Sequence, residues 1–511
     1  MFPGIHAASE PERPAVIMAE SGRILSYGQL ERRSASIASA LHGLGLRRGD
    51  VIALLSNNTV EAFEVYWAAI RSGLYVTAIN WHLAPEEAAY IATDSGATVL
   101  FASAGVRDLA EAMVPLTSGV LRRYAFGGQI AGYQPYDLLI DDHFEPLRDR
   151  PRGTEMLYSS GTTGRPKGIK PTLPDIQVDE PGDALVGMLA HAFGITAQDR
   201  YLSPAPIYHA APLKWCGGVH ALGGTVVLME RFDAVTALEA IEKYRITATQ
   251  MVPTMFIRML QLSDGVRHGF DTSSLRLAVH AAAPCPPDVK QAMIDWWGPI
   301  LVEYYGATEG HGVTVVTTPE WLAKRGSVGR AALGTLHICD DEGVELAAGD
   351  IGTVYFERDQ PPFEYHNDAE KTAGARHPAH ENWSTVGDLG YVDDDGYLFL
   401  TDRKAFMIIS GGVNIYPQEI ENVLAMHPQI ADVAVIGVPH PEMGEQVKAV
   451  VELRAGHLGT DELGDELIDY VRKRIAHYKA PRSVDFVEAL PRLATGKLAK
   501  RELVQRYAEA H

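Results

Sequence analysis

The sequence has few cysteines and lacks a long apolar run. Its 511 residues include only Cys216, Cys285 and Cys339, too few for a disulfide framework, which indicates a reducing compartment. No window of about 20 uninterrupted apolar residues occurs, so we predict no transmembrane segment. The N-terminus lacks a basic start followed by an apolar stretch, so no signal peptide is visible. These absences predict a cytoplasmic protein.

An excess of positive charge is also missing. The net charge is −20, from 45 Lys and Arg against 65 Asp and Glu, which argues against nucleic acid or an anionic membrane as the main partner. The apolar content of 46% and the charged content of 22% are ordinary for a globular protein. A chain of this length exceeds one ordinary core, so two or more domains are expected.

Short apolar strands alternate with amphipathic helices along most of the chain. We predict buried strands over residues 49–55, 75–79 and 98–101, and a helix that Ser26 caps and that runs to about Leu44. This alternation predicts an α/β fold with a large N-terminal domain of layered, mostly parallel sheets and helices.

The pattern changes near residue 400. Residues 393–397 form a hairpin signal with Asp-Gly at the turn. Beyond it the chain carries predicted strands at 430–437 and 447–453, and helices at 416–426 and 460–475, enough for a small core. We therefore predict an N-terminal domain over 1–401, a hinge at 402–404 and a small mobile α+β C-terminal domain over 405–511.

The densest chemical motif is the loop Y-S-S-G-T-T-G-R-P-K-G, residues 158–168. Its glycines let the backbone approach an anion, and its hydroxyls and Lys167 add donors and positive charge. It is not a Walker A loop, because Lys167 follows Pro166 and precedes Gly168. By composition alone it suits either a polyphosphate site or a flexible surface loop. The candidate phosphate ligands are Ser159, Ser160, Gly161, Thr162, Thr163, Gly164 and Lys167.

A second motif is E-Y-Y-G-A-T-E-G, residues 303–310. Tyr304 or Tyr305 can stack on an adenine, Thr308 can bond a phosphate oxygen, and Glu309 offers oxygen ligands to Mg²⁺. The alternative is a purely structural turn at a strand end. Further along, Asp388 stands between glycines, where it can bond ribose hydroxyls or simply form a turn.

Three other sites can be interpreted as either functional or purely structural. Gly411 and Gly412 suit either a narrow channel for a pantetheine arm or a hairpin turn, and Lys497 in P-R-L-A-T-G-K is either reactive or solvated. His209, in P-I-Y-H, is either a buried histidine or a group beside a bound carboxylate. A metal site of His209 with Cys216 and His220 is a weak hypothesis, because no second Cys/His pair is present.

Together and in this order, the motifs resemble those of the adenylate-forming superfamily, which contains acyl-CoA synthetases, nonribosomal-peptide adenylation domains and luciferases. The resemblance covers nearly the whole chain. It implies that ATP activates a small-molecule carboxylic acid as an acyl-adenylate with release of pyrophosphate, aided by Mg²⁺, and that CoA then takes the acyl group. With no carrier domain in the sequence, the chain looks most like a free-standing acyl-CoA synthetase.

The resemblance also implies roles for single residues. Lys497 meets the carboxylate and the α-phosphate, His209 lies beside the carboxylate, and Thr308 and Glu309 act at the phosphates and the metal. Arg403 is the basic partner of the ribose-binding Asp388. Outside the phosphate loop, the implied nucleotide and CoA contacts are Ala282, Ala283, Pro284, Tyr304, Tyr305, Gly306, Asp388, Arg403, Gly411, Gly412, Tyr478 and Arg482.

Three positions depart from the family pattern. Ala405 replaces the usual Asp or Lys of the hinge, His280 stands where a small Ser is frequent, and Ala480 stands where some relatives carry a basic residue. These departures keep a second function open, an amide-forming ligase that passes the acyl group to an amine. A non-catalytic nucleotide binder is a third and weaker hypothesis, because Lys497, Glu309 and Asp388 are all present.

The expected acid is an apolar monocarboxylate, fatty, aryl or polycyclic. The segments expected to line the acyl pocket are 205–219, 279–284 and 304–312. Small residues at 210–211, 217–218 and 281–283 leave room for the acid, and Lys214 is the only Lys or Arg in the three segments. A counter-ion for a second carboxylate is therefore not indicated. The sequence leaves a homodimer open.

Overall fold

The structure is a computed structural model that describes residues 1–159, 166–403, 406–410, 413–492 and 498–508. The chain divides into two compact units. The first comprises Met1–Met251, Arg258–Val279 and Pro362–Thr372. The second comprises Val252–Ile257, His280–Pro361 and Ala373–His511. Because the limits fall within them, the helices Pro253–Leu260 and Ala369–Gly374 and the strand Leu277–His280 belong partly to each unit.

Two parallel strand arrays form the framework of the first unit. One array has the order Gln134–Pro135, Arg122–Phe126, Val99–Ser103, Val51–Leu55, Tyr75–Ile79 and Thr154–Glu155, with every neighbouring pair parallel. The central strands are buried at each residue, which suits parallel strands covered on both faces. The other array runs Ala248–Met251, Arg200–Ser203, Thr225–Leu228 and Pro14–Met18 in parallel, and Ile24–Ser26 pairs antiparallel to the last.

A small antiparallel sheet completes this unit, with the order Phe363–Tyr365, Lys167–Pro171 and Leu157–Ser159. The helices of the unit are Pro3–Ser9, Tyr27–Gly43, Val60–Ile70, Pro85–Asp94, Arg107–Met113, Ala184–His191, Ala210–Leu222, Ala234–Tyr244 and Asp264–Arg267, and its 3₁₀ turns are Ala104–Val106, Val114–Leu116 and Tyr136–Leu139.

The second unit is built largely from antiparallel strands. Leu301–Gly306, Val313–Thr317 and Arg330–Leu333 pair in that order. A further sheet has the order Thr335–Cys339, Gly352–Glu357, Asp388–Val392 and Leu398–Arg403, and Trp383–Ser384 also pairs with Gly352–Glu357. The helices Pro287–Trp297 and Thr318–Ala323 complete this part.

The C-terminal part of the second unit has its own core. The strand order is Val413–Ile415, Ile408–Ser410, Gly444–Leu453 and Ile430–His440, and Ser483–Val487 lies parallel to Gly444–Leu453. The helices Pro417–Leu424, Asp461–Arg472 and Lys500–Ala508 and the 3₁₀ turn His477–Lys479 accompany these strands. Ile420, Leu424, Leu467 and Val471 are fully buried among strand residues such as Val435.

The α/β class predicted from the sequence is confirmed. Ser26 caps the helix Tyr27–Gly43 through a reciprocal capping box with Gln29, and the Asp-Gly turn at 393–397 joins two antiparallel strands. The helix predicted at 416–426 is shorter, Pro417–Leu424, and Tyr416 makes no side-chain capping bond because it carries no short acceptor. The hinge at 402–404 stays a prediction, and residues 404 and 405 lie outside the described ranges.

Among the described residues, no helix is long and apolar enough to span a bilayer.

Candidate active site

The first unit carries the two ends of the glycine-rich loop. Ser159 ends one strand and Lys167 begins the next, and the two residues face each other as antiparallel partners. Residues 160–165 between them, including the predicted ligands Ser160, Gly161, Thr162, Thr163 and Gly164, lie outside the described residues. The hairpin therefore fixes where the loop leaves and re-enters the sheet.

Lys167 is held by a partner that sequence reasoning missed. Its ammonium group forms an ion pair with Asp368, a residue 201 positions further along the chain. The Lys167 hydrogen bond, followed by the Lys371 backbone N–H, holds the pKa of Asp368 below its usual range. Lys167 is thus positioned at the loop by a carboxylate with which an arriving polyphosphate would compete.

His209 lies at the start of the helix Ala210–Leu222, in the first unit, where it occupies the N-cap position without a side-chain capping bond. Its ring centroid is 4.4 Å from that of Tyr208. His209, Ala210, Ala211 and Lys214 are partly accessible, whereas the residues from Trp215 to Ala221 are buried. The accessible strip thus extends from His209 over about the first turn and a half of the helix.

Two glycines of this helix do not provide the space that the sequence suggested. A Cβ atom at Gly217 would lie 2.4 Å from the Tyr66 hydroxyl, and one at Gly218 would lie 2.2 Å from Leu189 Cδ1. Tyr66 and Leu189 therefore occupy the space beside these two glycines. The expectation that the glycines leave room for the acid is wrong. Alternating large and small residues here serve close packing.

In the second unit, Thr308 and Glu309 lie in a tight turn between the strands Leu301–Gly306 and Val313–Thr317. The Gly310 N–H donates to the Ala307 carbonyl at 3.0 Å, and Gly310 has a φ of +64°. Thr308 and Glu309 are therefore the two central residues of the turn. The guanidinium of Arg358 donates to the Gly310 carbonyl at 3.0 Å and fixes the far side of the turn.

Tyr305 and Asp388 are brought together in the same unit. The Tyr305 hydroxyl donates to Asp388 Oδ2 at 2.7 Å. Asp388 also faces Arg403 as its antiparallel strand partner, so the two residues that the resemblance assigned to the ribose are neighbours in register. Tyr304 and Gly306 lie on either side of Tyr305 in the strand, all three partly accessible.

His311 follows this turn and is fully buried. Its ring packs edge-on against Phe356, with 5.1 Å between the ring centroids. Burial lowers the pKa of His311 to about 4, although the Asp388 carboxylate opposes the shift. The side chain is therefore a neutral imidazole at neutral pH.

Ala282, Ala283 and Pro284 form an exposed stretch of the second unit after the strand Leu277–His280. Ala282 has a φ of +73°, a conformation that costs a residue with a Cβ about 1–2 kcal/mol. Such outliers concentrate at binding sites, and this one falls in the stretch to which the resemblance assigned nucleotide contacts.

A buried charged cluster belongs to the same unit, and sequence reasoning missed it. Lys290 donates to Glu303 Oε2 at 2.6 Å, and both side chains are buried. His280 Nε2 lies 3.7 Å from the same oxygen. Burial, and to a lesser extent the Lys290 charge, hold the pKa of His280 well below its usual range. His280 is thus a neutral core residue of this cluster.

The predicted CoA contacts of the C-terminal part are exposed. Tyr478 is 59% exposed and Arg482 is exposed as well. Lys479, between them in sequence, is bound to Glu419 at 2.6 Å, and Ala480 is buried. Gly411, Gly412, Lys497 and the hinge residue Ala405 lie outside the described residues, as does the Arg403 side chain.

The metal hypothesis for His209, Cys216 and His220 receives no support. His220 Nδ1 accepts a hydrogen bond from Trp67 Nε1 at 3.3 Å, and Cys216 is fully buried. Across the described ranges, no group of three or more His, Cys, Asp or Glu side chains is placed to hold a metal ion.

Two family models match the chain. One, described as AMP-binding enzyme, matches residues 5–361, and the other, described as AMP-binding enzyme C-terminal domain, matches residues 419–497.

Relatives and solved structures match over almost the full length. A feruloyl-CoA synthase of Amycolatopsis is 34% identical over 99% of this chain and 98% of its own. The anthranilate CoA ligase AuaEII in complex with anthranoyl-AMP is 25% identical, with a TM-score of 0.84 over 99% of this chain and 97% of its own. The amide bond synthetase McbA of Marinactinospora thermotolerans is 26% identical, with a TM-score of 0.81 over 99% of both chains.

Proposed function

The chain belongs to the AMP-binding enzymes, and from that premise we propose that it is an AMP-forming acid–thiol ligase that joins an aryl carboxylic acid to CoA. The observation that carries this most directly is the turn that presents Thr308 and Glu309 beside the Tyr305–Asp388 hydrogen bond. The relatives named for feruloyl and anthraniloyl substrates favour an aryl acid among the apolar acids that the sequence allows.

The first half-reaction forms the adenylate. A carboxylate oxygen of the acid attacks the α-phosphorus of ATP, the bond to the β-phosphate oxygen breaks, and pyrophosphate leaves. Lys167, Thr308 and the glycine-rich loop bind phosphate oxygens, Asp388 and Arg403 hold the ribose, and Lys497 contacts the carboxylate and the α-phosphate. These groups stabilise charge that develops on oxygen.

Magnesium fits the residues available for it. Mg²⁺ is commonly bound by one or two carboxylates together with substrate phosphates and water, so the Glu309 carboxylate on its turn is a suitable protein ligand. When bound, the ion would neutralise phosphate charge.

The second half-reaction transfers the acyl group. The CoA thiolate attacks the carbonyl carbon of the adenylate, and AMP leaves with the electrons of the C–O bond. Gly411 and Gly412 flank the pantetheine arm, and Tyr478 and Arg482 contact the CoA nucleotide. The C-terminal domain exchanges Lys497 for this face by rotating at residues 402–404.

A second candidate is transfer of the acyl group to an amine. Two observations favour it: the buried alanine at position 480, where some relatives carry a basic residue, and the likeness to an amide bond synthetase. Both reactions share the first half-reaction and differ only in the acceptor.

Pyrophosphate release with a panel of carboxylic acids, with and without CoA, tests both candidates. We expect pyrophosphate to appear in step with an aryl-CoA product identified by mass. Pyrophosphate release that is indifferent to CoA, with acyl-AMP accumulating, would favour an amine acceptor. No pyrophosphate with any acid would contradict the ligase proposal.

A further inference from the structure

Lys214, in the accessible strip of the helix Ala210–Leu222, forms a long ion pair with Glu155. Lys214 Nζ is 3.8 Å from Glu155 Oε2, a distance beyond a good hydrogen bond. The Glu155 side chain is 8% exposed and the Lys214 side chain 29% exposed. The carboxylate is therefore buried, while the ammonium group remains reachable from the strip.

The remaining contacts of Glu155 hold its carboxyl group in place. The Tyr66 hydroxyl donates to Glu155 Oε1 at 2.7 Å, and the Thr154 hydroxyl donates to Oε2 at 3.3 Å. For the Lys214 ammonium group, by contrast, no hydrogen-bond acceptor is found among the residues that the structure describes. A buried carboxylate thus has fixed donors, and its ammonium partner has unused donors.

Lys214 lies on the same stretch of chain as His209, which suggests a role for the ion pair in binding the acid. His209, at the helix start, is the residue that the proposed function places beside the reacting carboxylate. Lys214 follows five residues later, about 7.5 Å along the helix axis. It shares a helix face with the partly accessible Ala210 and Ala211, which precede it by four and three residues. Because alanine side chains are short, an elongated flat acid can lie along this strip.

We propose that Lys214 and Glu155 bind a hydroxyl group at the end of the acid distant from its carboxylate, and so select phenolic aryl acids. The oxygen of a hydroxyl accepts from Lys214 Nζ, which has unused donors. Its proton is donated to Glu155 Oε2, which can accept a second hydrogen bond besides that from Thr154. A second carboxylate is disfavoured, because it would approach the buried Glu155 carboxylate with like charge. An unsubstituted ring leaves the ammonium group without an acceptor.

This inference rests on the proposed function, and its test compares 4-hydroxycinnamate with cinnamate. For the wild-type protein, we expect kcat/KM for pyrophosphate release to be higher with the hydroxylated acid. Lys214→Met should lower that value by roughly 10- to 100-fold, the range for a lost hydrogen bond to a charged group, and change the value for cinnamate less than threefold. Lys214→Arg, which keeps a charged donor, should retain part of the preference.

Lys170→Met is the matched control. Lys170 is 3.9 Å from Glu364 and 33% exposed, close to the values for Lys214, but Glu364 is 61% exposed. Lys170 also lies on a different element, so the ratio between the two acids should stay unchanged. A parallel loss for both acids in Lys214→Met, or an unchanged ratio, would overturn the inference.

Binding measurements separate this inference from the proposed function. Calorimetric titration of the full-length protein with each acid, in the presence of a non-hydrolysable ATP analogue, does not require turnover. Tighter binding of 4-hydroxycinnamate that Lys214→Met abolishes would support the pair even if pyrophosphate release failed. Equal binding of both acids by the wild type would overturn the pair and leave the ligase proposal standing.

Discussion

Ala282 is a strained residue in an exposed stretch to which nucleotide contacts are assigned. Because its φ is +73°, replacement by glycine removes a steric cost of about 1–2 kcal/mol, partly offset by the greater freedom of glycine in the unfolded chain. We expect Ala282→Gly to raise the free energy of unfolding by up to about 1 kcal/mol, measured by urea denaturation.

Ala283→Gly provides the comparison, since Ala283 is not among the residues with positive φ. Here only the unfolded-state effect operates, so a loss of about 0.4–1 kcal/mol is expected. Equal destabilisation by both substitutions would show that Ala282 stores no strain.

The buried imidazole of His311 makes stability depend on pH. Its folded pKa of about 4 lies below the usual 6.5, so between these values the unfolded chain binds a proton that the folded chain does not. Stability therefore falls as the pH drops through this window. Between pH 7 and pH 5 the loss from this one group is about 2 kcal/mol.

Urea denaturation of wild type and His311→Leu at both pH values checks this. The difference in unfolding free energy between pH 7 and pH 5 should shrink by about 2 kcal/mol in the variant. His457→Leu, which replaces an exposed histidine, is the surface comparison. An unaltered pH dependence in His311→Leu would contradict the assignment.

At the residue scale, the resemblance anticipated one neighbouring pair, whereas contacts between distant positions were missed. The Asp388–Arg403 pairing was expected from the family resemblance and matches the strand register. The Lys167–Asp368 ion pair was not predicted, because no local signal links positions 201 apart. Gly217 and Gly218 were misjudged because a sequence cannot show that Tyr66 and Leu189 occupy the space.

At the scale of elements, one ion pair joins the helix Pro287–Trp297 to the strand that leads into the Thr308–Glu309 turn. Lys290 and Glu303 are both buried, 2.6 Å apart. Lys290→Met leaves a buried carboxylate without its partner, so we expect a loss of about 3–5 kcal/mol in unfolding free energy. The double variant Lys290→Met/Glu303→Leu should recover most of it, because no buried charge remains.

Lys324→Met is the surface comparison. Lys324 pairs with Asp393 and Asp395 at 2.7 and 2.5 Å but is partly exposed, and exposed pairs contribute about 0–1 kcal/mol each. If Lys290→Met lowered the free energy of unfolding no more than Lys324→Met, the Lys290–Glu303 pair would not hold the helix to the strand.

Elements with strong local signals were found from the sequence. The capped helix Tyr27–Gly43, the fully buried strand Tyr75–Ile79 and the Asp-Gly hairpin all match their predictions. Helix ends were less accurate, as at Pro417–Leu424, because tertiary packing rather than propensity sets where a short helix stops. The sequence gives no signal for the Lys290–Glu303 contact, because it does not distinguish a buried lysine from an exposed one.

For the whole molecule, the proposed mechanism requires the C-terminal domain to serve two half-reactions in turn. In that proposal Lys497 acts only in the first, so Lys497→Ala should reduce adenylate formation by a factor of at least about 10², the scale of lost electrostatic stabilisation of a transition state. Thioester formation from supplied acyl-AMP and CoA should stay within about threefold of wild type, because the same domain then presents Gly411 and Gly412 instead.

Two separate assays measure this division of labour. Pyrophosphate release reports the first half-reaction, and mass-identified acyl-CoA formed from purified acyl-AMP reports the second. Arg501→Ala removes an exposed positive charge four residues further along the sequence, in the helix Lys500–Ala508, and should affect neither. Equal loss of both half-reactions in Lys497→Ala would mean that one arrangement of the domain serves the entire reaction. That result would contradict the proposed rotation at 402–404.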